Sequence, residues 1–296
     1  MRNRSFIVNY HLMLLPGIIL LFIFSIIPMF GIVIAFQDFI PGIRIWEQDW
    51  IGLENFKFMM DIPDSKQVFI NTIVIATSKI VVGTFVPIIF ALLLHEVRVS
   101  WFKRFVQTIV YLPHFMSWVI LAGIMVSMLS LDGVMNMIFK LFGFEPVMFL
   151  ASNTWFRPIV VGSDVWKEFG FSAIVYLAAL TGINPSLYEA AEIDGANRFR
   201  KLIHITLPGI TPTIVLLVTL SLGNVLNAGF DQIFNLYNPL VYSSGDIIDT
   251  YVYRMGLIEN QYGLATAVGL LKSVVAIILI MISYKLASKY ANYRIF

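Results

Sequence analysis

Five ionisable residues stand inside stretches that are otherwise apolar: Lys79, Asp164, Lys167, Glu168 and Lys272, with Asp231 at the end of a further such stretch. A charge in an apolar setting is costly unless it is paired or faces water. Two readings follow: a hydrated vestibule that handles a polar solute, or ion pairs that lock a bundle. Asn224, Asn227 and Asp231 recur at i, i+3 and i+7. That spacing predicts one polar face of a helix. Such a stripe could bond the hydroxyls of a solute stacked on Trp166, Tyr176 and Phe230, or could hydrogen-bond neighbouring helices. Catalysis has less to draw on. The spans contain no Ser/His, paired-Asp or His-Glu-x-x-His constellation, there is no cysteine, and His11, His95, His114 and His204 have no metal-ligand spacing. No Gly-Lys dipeptide occurs, so the Walker A loop that holds ATP phosphates is missing.

The elements that must position these groups are membrane helices. Of 296 residues, 58% are hydrophobic and 13% charged, which places the chain in the membrane class. A net charge of +2 with no basic run excludes a nucleic-acid partner. A spanning helix needs about 20 apolar residues. Six stretches qualify: 11–36, 70–95, 106–128, 158–180, 210–230 and 264–287. The first is too long for a signal-peptide core and is read as a retained span. Met135–Gly143 reads as a short interfacial helix, and Trp46, Trp50, Trp101 and Trp155 as interfacial anchors. Pro16, Pro28, Pro87 and Pro113 mark bends. Domain organisation is read as residues 1–69, a first span with an extracellular loop, and 70–290, a core of five spans. Segments 1–10, 96–105, 181–209 and 285–296 hold eleven Lys and Arg, the intervening loops six in more residues. The positive-inside rule then predicts cytoplasmic termini and a cytoplasmic 185–208 loop.

That loop is the longest polar segment with helix signals. Ser186 and Glu189 have the form of a capping box that starts a helix at Leu187. Asp194-Gly195 predicts its stop. A second amphipathic stretch from Ala196 to His204 then runs into Pro208, giving a helix-turn-helix finger between two spans.

Glu189-Ala190-Ala191, three residues, Gly195, nine residues, Ile205, one residue and Leu207-Pro208 resemble, position for position, the E-A-A loop of the membrane subunits of bacterial binding-protein-dependent ABC importers. Leu14-Leu15-Pro16-Gly17, Ala35-Phe36-Gln37-Asp38-Phe39, Gly52-Leu53-Glu54-Asn55-Phe56 and Tyr237-Asn238-Pro239-Leu240-Val241-Tyr242 look like the subfamily that imports oligosaccharides, including aldouronates and alginate. The resemblance implies an all-α, six-helix permease of the type I importer kind in a bacterial cell membrane. It implies a second homologous permease subunit, two ABC ATPases, an extracellular solute-binding protein and a saccharide as partners. ATP and Mg would sit on the ATPases, with no cofactor on this chain. It also implies that Glu189 meets basic residues of an ATPase, that Ala190 and Ala191 permit close approach, that Gly195 allows the turn, and that Leu207-Pro208 fixes entry to the fifth span. A self-sufficient carrier driven by an ion gradient through Asp164, Lys167 and Glu168 is the rival reading.

Overall fold

The computed structural model describes the backbone of residues 2–290 and the side chains of residues 9–285. Arg2, Arg4, Lys289 and Arg294, which count toward the predicted charge asymmetry, lie outside the described side chains. Helix α1 starts as Arg2–Leu21 and runs on through irregular helical turns to Phe36, and α2 is Pro63–Glu96. There follow α3, Ser100–Tyr111; α4, Trp118–Leu129; α5, Val134–Leu141; α6, Asn153–Thr181; and α7, Pro185–Ile193. Helix α8 is Arg198–Gly223, α9 is Phe230–Leu236, and α10 is Tyr262–Tyr290. Among the described residues α1, α2, α4 with α5, α8 and α10 are long and apolar enough to cross a membrane. Helix α6 makes a sixth span only when joined to α7 across a 65° bend. The reason is compositional: α6 carries Arg157, Asp164, Lys167 and Glu168.

The chain divides into two compact units. The first comprises Met1–Ile62 and Val252–Leu271. Within it, strands Gln37–Asp38 and Asp49–Trp50 pair antiparallel, and the Asn55 amide donates to the Ala35 and Gln37 carbonyls at 3.0 and 3.2 Å. Apolar side chains of α1, such as Met13 and Phe24, are exposed, as expected of a helix that faces lipid rather than a core.

The second unit comprises Pro63–Tyr251 and Lys272–Phe296. Its centre is the packing of α2 on α6, which builds two apolar clusters. One joins Ile75, Phe156, Val160, Ile233 and Val241. The other joins Ile88, Ala91, Ala173, Tyr176 and Ile210. Lys79 and Gly83 on α2, and Asp164 and Glu168 on α6, fall between the two clusters along both helices.

Three expectations are corrected here. The predicted third span, 106–128, is broken: α3 ends at Tyr111 and α4 starts at Trp118, because Pro113 lies in the turn Leu112–Phe115 and Ser117 caps α4 through the Ile120 N–H. The apolar stretch instead runs on past 128: after a turn at 130–133, α5 follows, and Trp118–Leu141 together are long and apolar enough for one span, with α5 taking in the predicted interfacial helix. The predicted fifth span, 210–230, stops at Gly223, and Gly229 with φ +96° turns the chain into α9. Asn224, Asn227 and Asp231 therefore do not share a helical face. A pattern of i, i+3 and i+7 says nothing about whether the helix survives, and the Gly-Asn and Ala-Gly pairs at 223–224 and 228–229 break it. Lastly, Tyr176 is only 2% exposed in the second cluster and is no stacking platform.

Proline positions show a common device. π-Helical turns at Phe22–Ile26 and Leu202–Thr206 directly precede Ile27-Pro28 and Leu207-Pro208. Proline supplies no N–H, and its ring crowds the carbonyl one turn back. A locally widened turn lets the helix run on.

Candidate functional site

Two polar regions interrupt the apolar second unit. The first is the finger, α7 and the start of α8. Its helix starts at Pro185, with Asn184 as N-cap: the Asn184 side chain accepts the Ser186 N–H at 3.0 Å. The expected capping box is therefore wrong by two positions. Ser186 already lies in the first turn, because proline is pre-organised for the first helical position. The stop is as read. Ala196 N–H donates to the Ala191 carbonyl at 2.8 Å and Gly195 N–H to the Glu192 carbonyl at 3.1 Å, with Gly195 at φ +74°. This is a Schellman turn, in which glycine takes the left-handed position. Asn197 then caps α8 by accepting the Arg200 N–H at 2.9 Å.

The two arms are tied together. Tyr188 Oη and Thr206 Oγ1 lie 3.0 Å apart, and Lys201 Nζ donates to Glu192 Oε1 at 2.6 Å. That hydrogen bond first, and the lysine charge second, hold the exposed Glu192 carboxyl below its ordinary range. A groove of about 660 Å³ runs beside the finger, lined by Leu92, His95, Arg98, Tyr188, Phe199 and Lys201. Glu189, Ala190, Asp194 and Gly195 are exposed, and Ile193 is 88% exposed. Ile205, Leu207 and Pro208 belong to α8. Its second arm is thus not a separate helix but the root of the fifth span, whose 26 residues extend ~39 Å.

The far end of α8 reaches the second region, a cavity of about 390 Å³. It is lined by Lys79, Gly83 and Thr84 of α2, Asp164, Glu168 and Ser172 of α6, Leu217 and Ser221 of α8, and Asn224, Asn227 and Gly229 of the break. The Lys79 ammonium donates to Asp164 Oδ1 at 3.0 Å, to the Ala228 carbonyl at 2.7 Å and to Gln232 Oε1. A Cβ on Gly229 would lie 2.8 Å from Lys79 Nζ, so glycine there serves both the turn and the close approach. Glu168 accepts from Lys167 at 2.7 Å and contacts His114 Nδ1 at 2.7 Å, while Lys167 also donates to the His114 carbonyl. Lys272 donates to Asp249 at 2.5 Å and to Asn227 at 3.0 Å.

The structure thus brings Lys79, Asp164, Glu168, Asn224 and Asn227 to one cavity wall and joins Lys167 and Lys272 to it through Glu168 and Asn227. Asp231 and Trp166 are exposed and line no part of this cavity. Pairing and cavity lining are not alternatives here, since the same charges do both. Sequence reasoning missed Gln232, Asp249 and His114, whose roles depend on partners far along the chain. It also missed Asn184 and Gly229, for which Asn-Pro and a glycine within an apolar stretch were available signals.

Comparison with known proteins gives a consistent result. The model of the family described as binding-protein-dependent transport system inner membrane component matches residues 83–292. The polygalacturonan/rhamnogalacturonan transport system permease protein YteP of Bacillus subtilis (strain 168) is 43% identical, over 97% of this chain and 89% of its own. Protein LplB of the same organism is 42% identical over 97% and 90%. A chain of a bacterial alginate ABC transporter, solved in complex with an alginate pentasaccharide-bound periplasmic protein, superposes with a TM-score of 0.91 at 38% identity, covering 99% of both chains.

Proposed function

This chain belongs to the family of binding-protein-dependent transport system inner membrane components, and on that premise we propose that it is the permease of an ATP-driven oligosaccharide importer whose finger receives the stroke of a separate ATPase. One observation carries the reading: α8 is a single rod rooted in the finger at Arg198 and ending against the polar cavity at Gly223. A displacement of the finger has no loop in which to dissipate before it reaches the cavity wall.

Glu189 and the exposed Ile193 form the contact with the ATPase, Ala190 lets the surfaces approach, and Gly195 with Asp194 holds the turn. Ser186 lies in the first turn, and Ile205, Leu207 and Pro208 transmit from the root of the rod. The finger and both termini lie in the cytoplasm. A second, homologous permease completes the pathway, two ABC ATPases bind ATP and Mg, and an extracellular solute-binding protein delivers the sugar. Lys79, Asp164, Glu168, Asn224 and Asn227 line the path, with Lys167 and Lys272 behind them. Each lysine has a carboxylate partner, so the lysines do not by themselves select an anionic sugar. A transport subunit of this family needs no ion relay, which leaves Asp164, Lys167 and Glu168 without the role an ion-driven carrier would give them.

The test is Glu189→Lys in the complete complex reconstituted in proteoliposomes. ATP hydrolysis should lose its stimulation by sugar-loaded binding protein, and import should fall by about tenfold or more, as for an inverted charge at a buried contact. Normal coupled import in this variant removes the finger from the mechanism.

A further inference from the structure

We propose that the cavity between strand Gln37–Asp38, the helix Glu54–Asp61 and residues 260–264, all within the first unit, is a binding site for one neutral sugar ring. It shares no residue with the lysine-bearing cavity of the second unit. The proposal goes beyond the importer reading and takes from it only that residues 37–62 lie outside the cell, where sugars are met.

The cavity measures about 280 Å³, and its polar lining is Gln37, Asp38, Asn55, Asn260 and Gln261. Small-molecule pockets run from about 300 Å³ upward, so this one has room for a single ring rather than a chain. Gln37 is only 1% exposed. Its Nε2 donates to the Ile45 carbonyl at 2.9 Å, which fixes the orientation of the amide and leaves Oε1 buried with no hydrogen-bond partner among the described residues. Buried acceptors are rarely left unpaired, and a ligand hydroxyl supplies what this one lacks. Asn55 commits its Nδ2 to the Ala35 and Gln37 carbonyls, which leaves its own carbonyl oxygen for a ligand. Gly263 completes the wall. A Cβ there would lie 2.7 Å from Asn55 Nδ2 and 3.0 Å from the Gln37 carbonyl oxygen, so glycine lets residues 260–264 close on the two amides.

The polar groups left over define the ligand. Gln37 Oε1, Asn55 Oδ1 and the Asp38 carboxylate accept hydrogen bonds. Asn260 Oδ1 already accepts from the Tyr262 hydroxyl at 3.1 Å, so its Nδ2 is left to donate, and the Gln261 amide can do both. A fitting ligand therefore donates and accepts, as a sugar hydroxyl does. A metal ion or an ammonium group would pair with the oxygens alone. No lysine, arginine or histidine lines the cavity, and Asp38 repels a second carboxylate, so a uronate is rejected and a neutral ring admitted. Phe39, Phe58 and Leu264 supply apolar wall, which suits the C–H side of a pyranose.

The experiment is saturation-transfer NMR on the purified membrane complex in nanodiscs, without the solute-binding protein and free of maltoside detergent. The probes are methyl β-galactopyranoside and its C6 carboxylate counterpart, the methyl galactosiduronate. The neutral glycoside should bind in the millimolar range and the uronate about tenfold more weakly or worse. Gln37→Leu, and Gln261→Ala at an exposed position where no buried bond is lost, should each weaken the neutral glycoside by about fivefold to tenfold. Asp38→Asn should bring the uronate within about threefold of the neutral probe. No transfer to the neutral glycoside, equal wild-type affinity for the uronate, or binding that neither glutamine variant weakens overturns the site. Tighter binding of lysine methyl ester than of the glycoside also overturns it, assigning the cavity to a cationic group. A wild-type complex that binds the glycoside but imports no oligosaccharide once the binding protein is restored overturns the importer reading and leaves the site standing.

Discussion

Both polar regions contain a glycine of positive φ, Gly195 in the finger and Gly229 beside the cavity, yet they satisfy their polar groups over very different distances. In the finger, caps reach two or three residues: Asn184 to Ser186, Asn197 to Arg200. In the cavity, Lys79 reaches Asp164, 85 positions away, and Gln232, 153 positions away. The finger is exposed and held by local chemistry, so its form does not depend on segments far along the chain. The cavity is assembled by three elements that converge on one buried ammonium. An exposed loop can be shaped by its own few residues, whereas a polar site inside an apolar bundle requires partners from elsewhere to offset desolvation.

The sharpest way to break this contrast is Lys79→Met. Removing the ammonium leaves the Asp164 carboxylate, the Ala228 carbonyl and Gln232 without their shared donor, and should cost about 3–5 kcal/mol. Adding Asp164→Leu should recover much of that loss. Chemical unfolding of the purified subunit in detergent measures both. A single variant as stable as wild type would mean that the cavity is not organised around Lys79.

The two glycines sharpen the comparison. At Gly195 a Cβ meets nothing within 4 Å, so Gly195→Ala should cost only the left-handed backbone strain, about 1–2 kcal/mol. At Gly229 the added carbon would also press on Lys79 Nζ. Gly229→Ala should therefore cost on the order of 1 kcal/mol more, by displacing the ion pair. In the Lys79→Met background this excess should vanish, because the flexible thioether can give way. Equal costs for the two glycines in wild type would dissociate the break from the ion pair.

The smallest effect separates the true helix start from the one that the sequence pattern suggested. Asn184→Ala should cost about 1 kcal/mol, whereas Ser186→Ala should stay within about 0.5 kcal/mol. If the order were reversed, the capping box would be restored.

How much was legible follows the same division. The finger's stop at Gly195 was readable because a Schellman turn involves six consecutive residues, all visible in one short string. Its start was misplaced by two residues because Ser-x-x-Glu and Asn-Pro are both valid start signals, and only the backbone path decides which one caps. The membrane class and a helix around Met135 were readable, because lipid requires long apolar helices whatever their neighbours, but that helix counts toward the third span rather than standing alone at the interface. The ends of the third and fifth spans were not readable. Breaks near Pro113 and Gly229 are tolerated in an apolar run only where other helices satisfy the freed backbone, as Lys79 does for the Ala228 carbonyl.

The sequence by itself determined that this chain is a bundle of membrane helices with charged residues at five interior positions and one long polar loop. Hydropathy and motif spacing are properties of the string. Only the tertiary structure decided that Lys79 pairs with Asp164 and Gln232, that Lys272 pairs with Asp249, that Asp231 stands away from Asn224 and Asn227, and that α8 joins the finger to the cavity. Those facts depend on which helices touch, and contact between residues a hundred positions apart is settled by packing, not by local pattern.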